Sequence, residues 1–309
     1  MGNGYFCSVK ISADIRLILA VLTIAIVWGT TFLGIKIGVE TIPPWFVAGL
    51  RQLLAAIILL LFLLARGQLK WIGRRDFMVQ ITLSSLMLIV ANGLTTVAEA
   101  HISSSLASLV SSMSPIAVLL CSVIFGLEKF TFRSVAGILF GFSGVLFIFW
   151  NGMSDFANPD YLFGIILLFL AIFGWAGGTI YTKKIQYRND NLFLNLFYQF
   201  AFAGIVQLII AFLFSEATDY RLWSAPSIAA TVYLAVFGSV AAYFAFNYAL
   251  KRLRPTQISM LSYVNTGIAI FLGWLVLNEE ITVKFIIAAI LIITGVIIMN
   301  YRPGMLKRK

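Results

Sequence analysis

Residues 105–148 read SLASLVSSMSPIAVLLCSVIFGLEKFTFRSVAGILFGFSGVLFI, and residues 256–299 read TQISMLSYVNTGIAIFLGWLVLNEEITVKFIIAAILIITGVIIM. At an offset of 151 the two runs lie on each other. Ser108 falls on Ser259, Ser111 on Ser262, Glu128 on Glu279, Thr131 on Thr282, Gly144 on Gly295 and Val145 on Val296. Arg133 meets Lys284, which keeps the charge, and beyond the runs Trp150 meets Tyr301, both aromatic. The last third of each half of the chain is therefore a copy of the other.

Outward from this repeat, apolar residues make up 61% of the chain and charged residues 11%. A bilayer core of roughly 30 Å needs about 20 apolar residues per helix. Ten runs meet that length: 16–38, 44–65, 77–98, 102–125, 132–150, 161–183, 191–214, 226–250, 255–277 and 282–300. The connections are too short for a soluble domain. The expected fold is an all-α integral membrane protein of ten transmembrane helices. It divides into a first five-helix repeat over 16–150 and a second over 161–301, with tails 1–15 and 302–309. Five is odd, so the second copy enters from the opposite face. Inverted halves are a signature of secondary transporters, with the substrate site near the midplane between the copies.

The formal net charge of +10 raises nucleic acid as a partner, and its placement speaks against one. Lys10 and Arg16 stand before helix 1, and Arg66, Lys70, Arg74 and Arg75 between helices 2 and 3. Lys129 and Arg133 lie between helices 4 and 5, Lys183, Lys184 and Arg188 between 6 and 7, and Lys251, Arg252 and Arg254 between 8 and 9. Arg302, Lys307, Arg308 and Lys309 close the chain. That places eighteen of the 22 basic residues on one side, whereas the opposite loops hold Arg221 and Lys284. Cytoplasmic loops retain Lys and Arg, so both termini are expected in the cytoplasm. The first run lacks an A-x-A cleavage site and reads as a retained helix. Phe6 stands where a myristoylation signal wants Ser or Thr. Two cysteines, Cys7 and Cys121, and one histidine, His101, do not make the common zinc constellations, so no metal or cofactor is expected.

The front parts of the halves match more loosely. At an offset of 147, Trp28 falls on Trp175 and Lys36 on Lys183; at 151, Asn92 falls on Tyr243 and Thr96 on Asn247. Asn92 with Thr96, and Tyr243 with Asn247, are four residues apart and share a helical face. Polar groups in hydrocarbon need partners or water, so these faces point inward. Ser108, Ser111 and Ser112 in helix 4, and Ser259, Ser262, Tyr263 and Asn265 in helix 9, extend the polar surface. Trp28 and Trp175 sit near mid-membrane, away from the interfacial belt usual for tryptophan. Each of these residues also has a plain reading: packing for the tryptophans and small serines, interhelical hydrogen bonds for Tyr243 and Asn247.

Trp28-Gly-Thr-Thr-Phe in helix 1, Pro44-x6-Arg51 in helix 2, Ser114-Pro115 in helix 4, and Glu128 and Glu279, each followed three residues later by Thr, resemble the drug/metabolite transporter superfamily, EamA-like family. The resemblance runs from about Arg16 to Tyr301. It implies a ten-helix transporter of the plasma membrane, the inner membrane of a bacterium, with a central cavity lined mainly by helices 1, 3, 4, 6, 8 and 9. Many relatives export amino acids or related metabolites. The chain departs from the pattern where Thr266-Gly267 replaces the proline of helix 4 in the second copy.

Helices 3, 4, 6, 8 and 9 carry no acid or base away from their ends. A phosphate-bearing substrate would be expected to meet Lys or Arg in the cavity. The expected substrate-binding set is Trp28, Asn92, Thr96, Ser108, Ser112, Trp175, Tyr243, Asn247, Ser259 and Tyr263. It suits small neutral or zwitterionic amphipathic molecules, amino acids best, with a sugar or drug-like compound as the alternative. Arg51 lies about 10 Å down helix 2 from its outer end, at 1.5 Å per residue. Membrane arginines are normally paired. Glu279 is the preferred partner and snorkelling to headgroups the other reading; Glu128 is the equivalent acid at the inner end, with Gln199 as the approximate counterpart of Arg51 in helix 7. No H-E-x-x-H or Asp-rich pair points to an intramembrane enzyme, and duplicated inverted halves count against a channel. The expected partners are a small-molecule substrate and the lipid bilayer, with a homodimer open as an assembly.

Overall fold

The computed structural model describes residues 15–127, 129–150, 158–185, 191–215 and 219–300. The protein is all-helical, with no strand among the described residues. Eight helical runs among them are long and apolar enough to cross a membrane: α1 Ile15–Gly38, α2 Pro44–Ala65, α3 Arg74–His101, α4 Ser104–Ile124, α6 Pro159–Lys184, α7 Leu192–Phe214, α8 Ala225–Leu250 and α9 Pro255–Leu277. Two further helices, α5 Phe132–Trp150 and α10 Val283–Asn300, pack on each other. The starts follow local chemistry. Proline opens α2, α6 and α9, where its missing N–H costs nothing. Ser103, Asn158, Asn191 and Ser224 accept backbone N–H bonds at the heads of α4, α6, α7 and α8. Leu19, Ile26, Leu61, Ile209 and Phe212 stand exposed on the outer surface, a liability in water and the natural face toward lipid.

Four helices depart from α geometry, α9 among them with a break at Met260. In α3 the stretch Ser84–Gly93 is π-helical, and in α8 so is Leu234–Ala241, a nearly equivalent position at the offset of 151. α4 breaks at Ser112 and Met113, ahead of Pro115. Pro115 has no N–H for the Ser111 carbonyl, which accepts instead from Ser114 Oγ at 2.6 Å.

The repeated halves make repeated contacts at opposite ends of the bundle. Lys36 Nζ donates to the carbonyls of Glu99 and Ile102, both at 2.8 Å. Lys183 Nζ donates to those of Leu250 and Leu253, at 2.7 and 2.9 Å. Glu99 and Leu250 are partners at the offset of 151, as are Ile102 and Leu253. Each lysine thus supplies donors to carbonyls that a helix end leaves without them.

α2 and α7 pack antiparallel and close. A Cβ on Gly49 would stand 2.8 Å from Leu208 Cγ, and one on Gly204 would stand 2.7 Å from the Leu53 nitrogen. Ser239 Oγ donates to Gln52 Oε1, and Gln207 Nε2 donates to the Leu88 carbonyl; Leu88 and Ser239 are again 151 apart. These reciprocal contacts pair Gly49 with Gly204, Gln52 with Gln207 and Leu53 with Leu208, an offset of 155. The counterpart of Arg51 is therefore Val206, not Gln199, which instead donates to Gln80 Oε1 at 2.6 Å.

Candidate functional site

Trp28 of α1 and Trp175 of α6 meet edge to face, with ring centroids 5.0 Å apart. Tyr243 of α8 lies 5.8 Å from Trp28 and 5.9 Å from Trp175, and Phe246 lies 5.5 and 5.0 Å from the same two rings. Centroids at 4.5–7 Å in tilted arrangements are the favoured aromatic geometry. Trp28 Nε1 donates to the Gly238 carbonyl at 3.2 Å, which fixes the indole against α8. Tyr243 is buried and bridges two groups of α3: its hydroxyl accepts from Asn92 Nδ2 at 2.6 Å and donates to the Met87 carbonyl at 3.2 Å.

These rings form one wall of a central cavity with about 920 Å³ of empty space, its open mouth included. The polar wall comes from Ser108, Ser111 and Ser114 of α4 and Ser259, Ser262, Asn265 and Thr266 of α9. Most of these hydroxyls donate to backbone: Ser108 to Ser105 O, Ser114 to Ser111 O, Ser259 to Thr256 O, Thr266 to Ser262 O and across to Ser108 O. With its proton committed to a carbonyl, a hydroxyl offers lone pairs to what lies beside it. This wall therefore presents mainly acceptors.

The structure brings six of the ten expected binding residues to the cavity: Trp28, Asn92, Ser108, Trp175, Tyr243 and Ser259. Four lie elsewhere. Thr96 is fully buried and bonds back to the Asn92 carbonyl, while Thr95 faces the cavity. Ser112 is buried in the α4 break and donates to Leu109 O, leaving its neighbours Ser111 and Ser114 on the wall. Asn247 Nδ2 donates to the Tyr243 carbonyl along its own helix. Tyr263 packs against the apolar cluster around Leu106 and Ile116, its hydroxyl buried without a partner. Phe246, Asn265 and Thr266 join the wall from outside the expected set, although Asn265 carries the polar signal that marks its neighbours.

Arg51 is the larger correction. It lines the cavity and is 2% exposed, the one charged residue among the described residues of the wall. It does not pair with Glu279. Its Nε donates to Ser239 Oγ at 3.3 Å, and Nη1 is buried without a partner. Glu279 accepts from Ser104 N and Oγ, each at 2.8 Å, and from Ser105 N at 2.9 Å, tying the loop after α9 to the head of α4. Burial pushes the Glu279 carboxyl up, and the bonds from Ser105 and Ser104 outweigh it and hold its pKa below the usual carboxylate range. The tie is accordingly intact above that range and is lost only as pH falls through the lowered value. Glu128 lies outside the described residues. Glu99, which the sequence places on the outer side with Glu279, is fully buried in α3, with neither carboxyl oxygen hydrogen-bonded.

An all-helical bundle with an exposed apolar surface and a central aromatic and hydroxyl cavity is the build of a multi-pass membrane transporter. The chain belongs to the EamA-like transporter family, which matches it twice, over residues 15–150 and 162–301. It is 33% identical over 258 residues to the uncharacterized inner membrane transporter YedA of Escherichia coli strain K12, covering 82% of this chain and 80% of YedA. It is 24% identical over 287 residues to the uncharacterized transporter YoaV of Bacillus subtilis strain 168, covering 93% of this chain and 97% of YoaV. A crystal structure of a protein 17% identical in sequence superimposes with a TM-score of 0.67, covering 95% of this chain and 98% of that one, which shows the same fold.

Proposed function

We propose that the protein is a secondary transporter that moves small amphipathic, neutral or zwitterionic metabolites, amino acids foremost, by alternating access around the central cavity. The observation that carries this reading is the meeting of Trp28 and Trp175, equivalent residues of the two halves, on one cavity wall. A site shared between inverted repeats is where such carriers bind their substrates. The aromatic wall suits an apolar group, and the serine-rich wall opposite suits an ammonium or hydroxyl.

In this reading the chain crosses the membrane ten times as two inverted five-helix repeats, over 16–150 and 161–301. The Lys183 end of the bundle and both termini face the cytoplasm, and transport runs outward. The two lysine caps, made alike at opposite ends, support the inversion. The basic residues gathered in the loops of the Lys183 end support the orientation.

The test is efflux from vesicles preloaded with single amino acids. Trp175→Ala should lower saturable efflux about tenfold or more while leaving abundance and insertion unchanged, since a cavity ring contributes little to helix insertion. Full efflux in both Trp28→Ala and Trp175→Ala would remove this cavity from the transport path.

A further inference from the structure

We propose that Arg51 is the residue of this cavity that binds a substrate carboxylate, so that the transported class is singly charged carboxylates bearing an apolar group, amino acids among them, and not uncharged sugars. The inference rests on the cavity being the substrate site.

Three observations lead to it. First, Arg51 is nearly completely buried, reaches the cavity wall from α2 and is the one charged residue among the described residues there. Second, its hydrogen bonding is far from complete. Nε has a long bond to the Ser239 hydroxyl, and Nη1 has no partner. A guanidinium carries five donors in a planar fork matched to a carboxylate; the buried Glu99 acts on it through space but accepts none of them, and buried donors left unmet are costly. An anion entering the cavity would supply the missing acceptors and the opposite charge. Third, the local backbone is cut back to admit the group. A Cβ on Gly238 would come within 3.2 Å of Arg51 Nη2, at the same glycine whose carbonyl holds Trp28. The guanidinium and the aromatic wall are thus placed by one turn of α8.

The rest of the wall narrows the class. The one guanidinium on the wall matches one carboxylate group, whereas a phosphate monoester brings nearly two negative charges. Four of the wall's hydroxyls, on Ser108, Ser114, Ser259 and Thr266, have committed their protons to carbonyls and can accept from an ammonium. A carboxylate at Arg51, an ammonium at the serines and a side chain against Trp28 and Trp175 would occupy all three surfaces.

The test uses the purified full-length protein in detergent and two isosteric probe pairs, L-phenylalanine with L-phenylalaninamide and 3-phenylpropanoate with 3-phenylpropanamide. Binding is followed by quenching of tryptophan fluorescence. In the wild type each acid should bind at least about tenfold tighter than its amide, as expected when a charge-assisted pair replaces a neutral one. In Arg51→Met the ratio should fall to about one, through loss of acid affinity alone. In Arg51→Lys, which keeps the charge without the fork, an intermediate ratio is expected, and this variant carries the test if Arg51→Met does not fold. Trp175→Ala should weaken both members of each pair and leave their ratio intact. A wild-type ratio near one, an undiminished ratio in the folded Arg51 variants, or no binding of either acid would overturn the role of Arg51. Unchanged affinity for every probe in Trp175→Ala, with the Arg51 effect present, would instead overturn the aromatic cavity as the binding site.

Discussion

At the residue scale, Arg51 and Trp28 depend on one position without a side chain of its own. Gly238 sits within the π stretch of α8, its carbonyl accepting Trp28 Nε1 and its missing Cβ leaving room for Arg51 and for Thr31 Cγ2. Gly238→Ala would put a methyl 2.9 Å from Thr31 Cγ2 and 3.2 Å from Arg51 Nη2. The arginine side chain can give way where the helix cannot, so the cost falls on its position more than on the fold. Efflux should drop about fivefold or more, with thermal stability lowered by no more than about 1–2 kcal/mol, the mild end of overpacking. Wild-type efflux from the alanine variant would show that the placement of Arg51 tolerates this crowding. Trp28 and Trp175 are legible in the sequence because tryptophan gathers at the membrane interface, and one at mid-membrane in both halves stands out against that habit. Arg51 is visible there as a charge, but its partner is not. Pairing it with Glu279 assumes that two opposite charges on one side of a membrane meet. The serine hydroxyl and backbone donors at the head of α4, which hold Glu279 instead, leave no mark in a count of charges.

At the element scale, the helices stand close to where runs of about twenty apolar residues put them. Residues 44–65 form α2 as read, and 16–38 differs from α1 by one residue. Bilayer thickness sets that length, so the reading is direct. The bearing of side chains around each helix is less legible. Ser111 and Ser114 face the cavity in place of Ser112 because α4 breaks ahead of Pro115 and restarts its rotation. Asn92 lies in the last turn of a π stretch that ends at Gly93, after which Thr95 and not Thr96 takes the cavity side. A fixed turn of 100° per residue carries across neither interruption. The register of α2 against α7 is within reach of the sequence, since Ala48-Gly49-x-x-Gln52-Leu53 repeats as Ala203-Gly204-x-x-Gln207-Leu208, but at 155, a different offset from that of the flanking helices. The glycines of that motif let the two backbones approach. A methyl on Gly204 would lie 2.7 Å from the Leu53 nitrogen and 3.0 Å from its Cα, backbone atoms that no rotamer change relieves. Gly204→Ala should therefore destabilise the purified protein by about 1–3 kcal/mol in thermal unfolding. Gly177→Ala is the control: nothing lies within 4 Å of its added Cβ, so alanine there should be neutral or slightly stabilising. Equal melting of the two variants would show that α2 and α7 separate without cost.

At the scale of the whole molecule, two like halves must still behave differently at their ends for a carrier to favour one state when empty. The lysine caps are equivalent; the ties beside them are not. Glu279 takes three hydrogen bonds from Ser104 and Ser105 at the Lys36 end. At the offset of 151, Ser104 and Ser105 fall on Pro255 and Thr256, and proline offers neither the N–H nor the hydroxyl that Ser104 supplies. Two of the three donors are thus missing by composition from the equivalent place in the second half. A tie shifts a conformational equilibrium only if it is made in one state and broken in the other. If α9 and its following loop leave the head of α4 when the cavity opens at the Lys36 end, weakening Glu279 should favour that opening. Glu279→Gln replaces a charged acceptor by a neutral amide and should raise the labelling rate of Phe32→Cys, a cavity position on the Lys36 side of Trp28, by roughly three- to tenfold. Cys7 and Cys121 are replaced beforehand, and an impermeant thiol reagent is applied separately to right-side-out and inside-out vesicles. The rise is expected in right-side-out vesicles, where the proposed topology exposes the Lys36 end. A rise confined to inside-out vesicles would reverse the orientation. Equal labelling of variant and parent in both preparations, with the protein folded, would show that Glu279 holds the loop in every state and sets no preference between them.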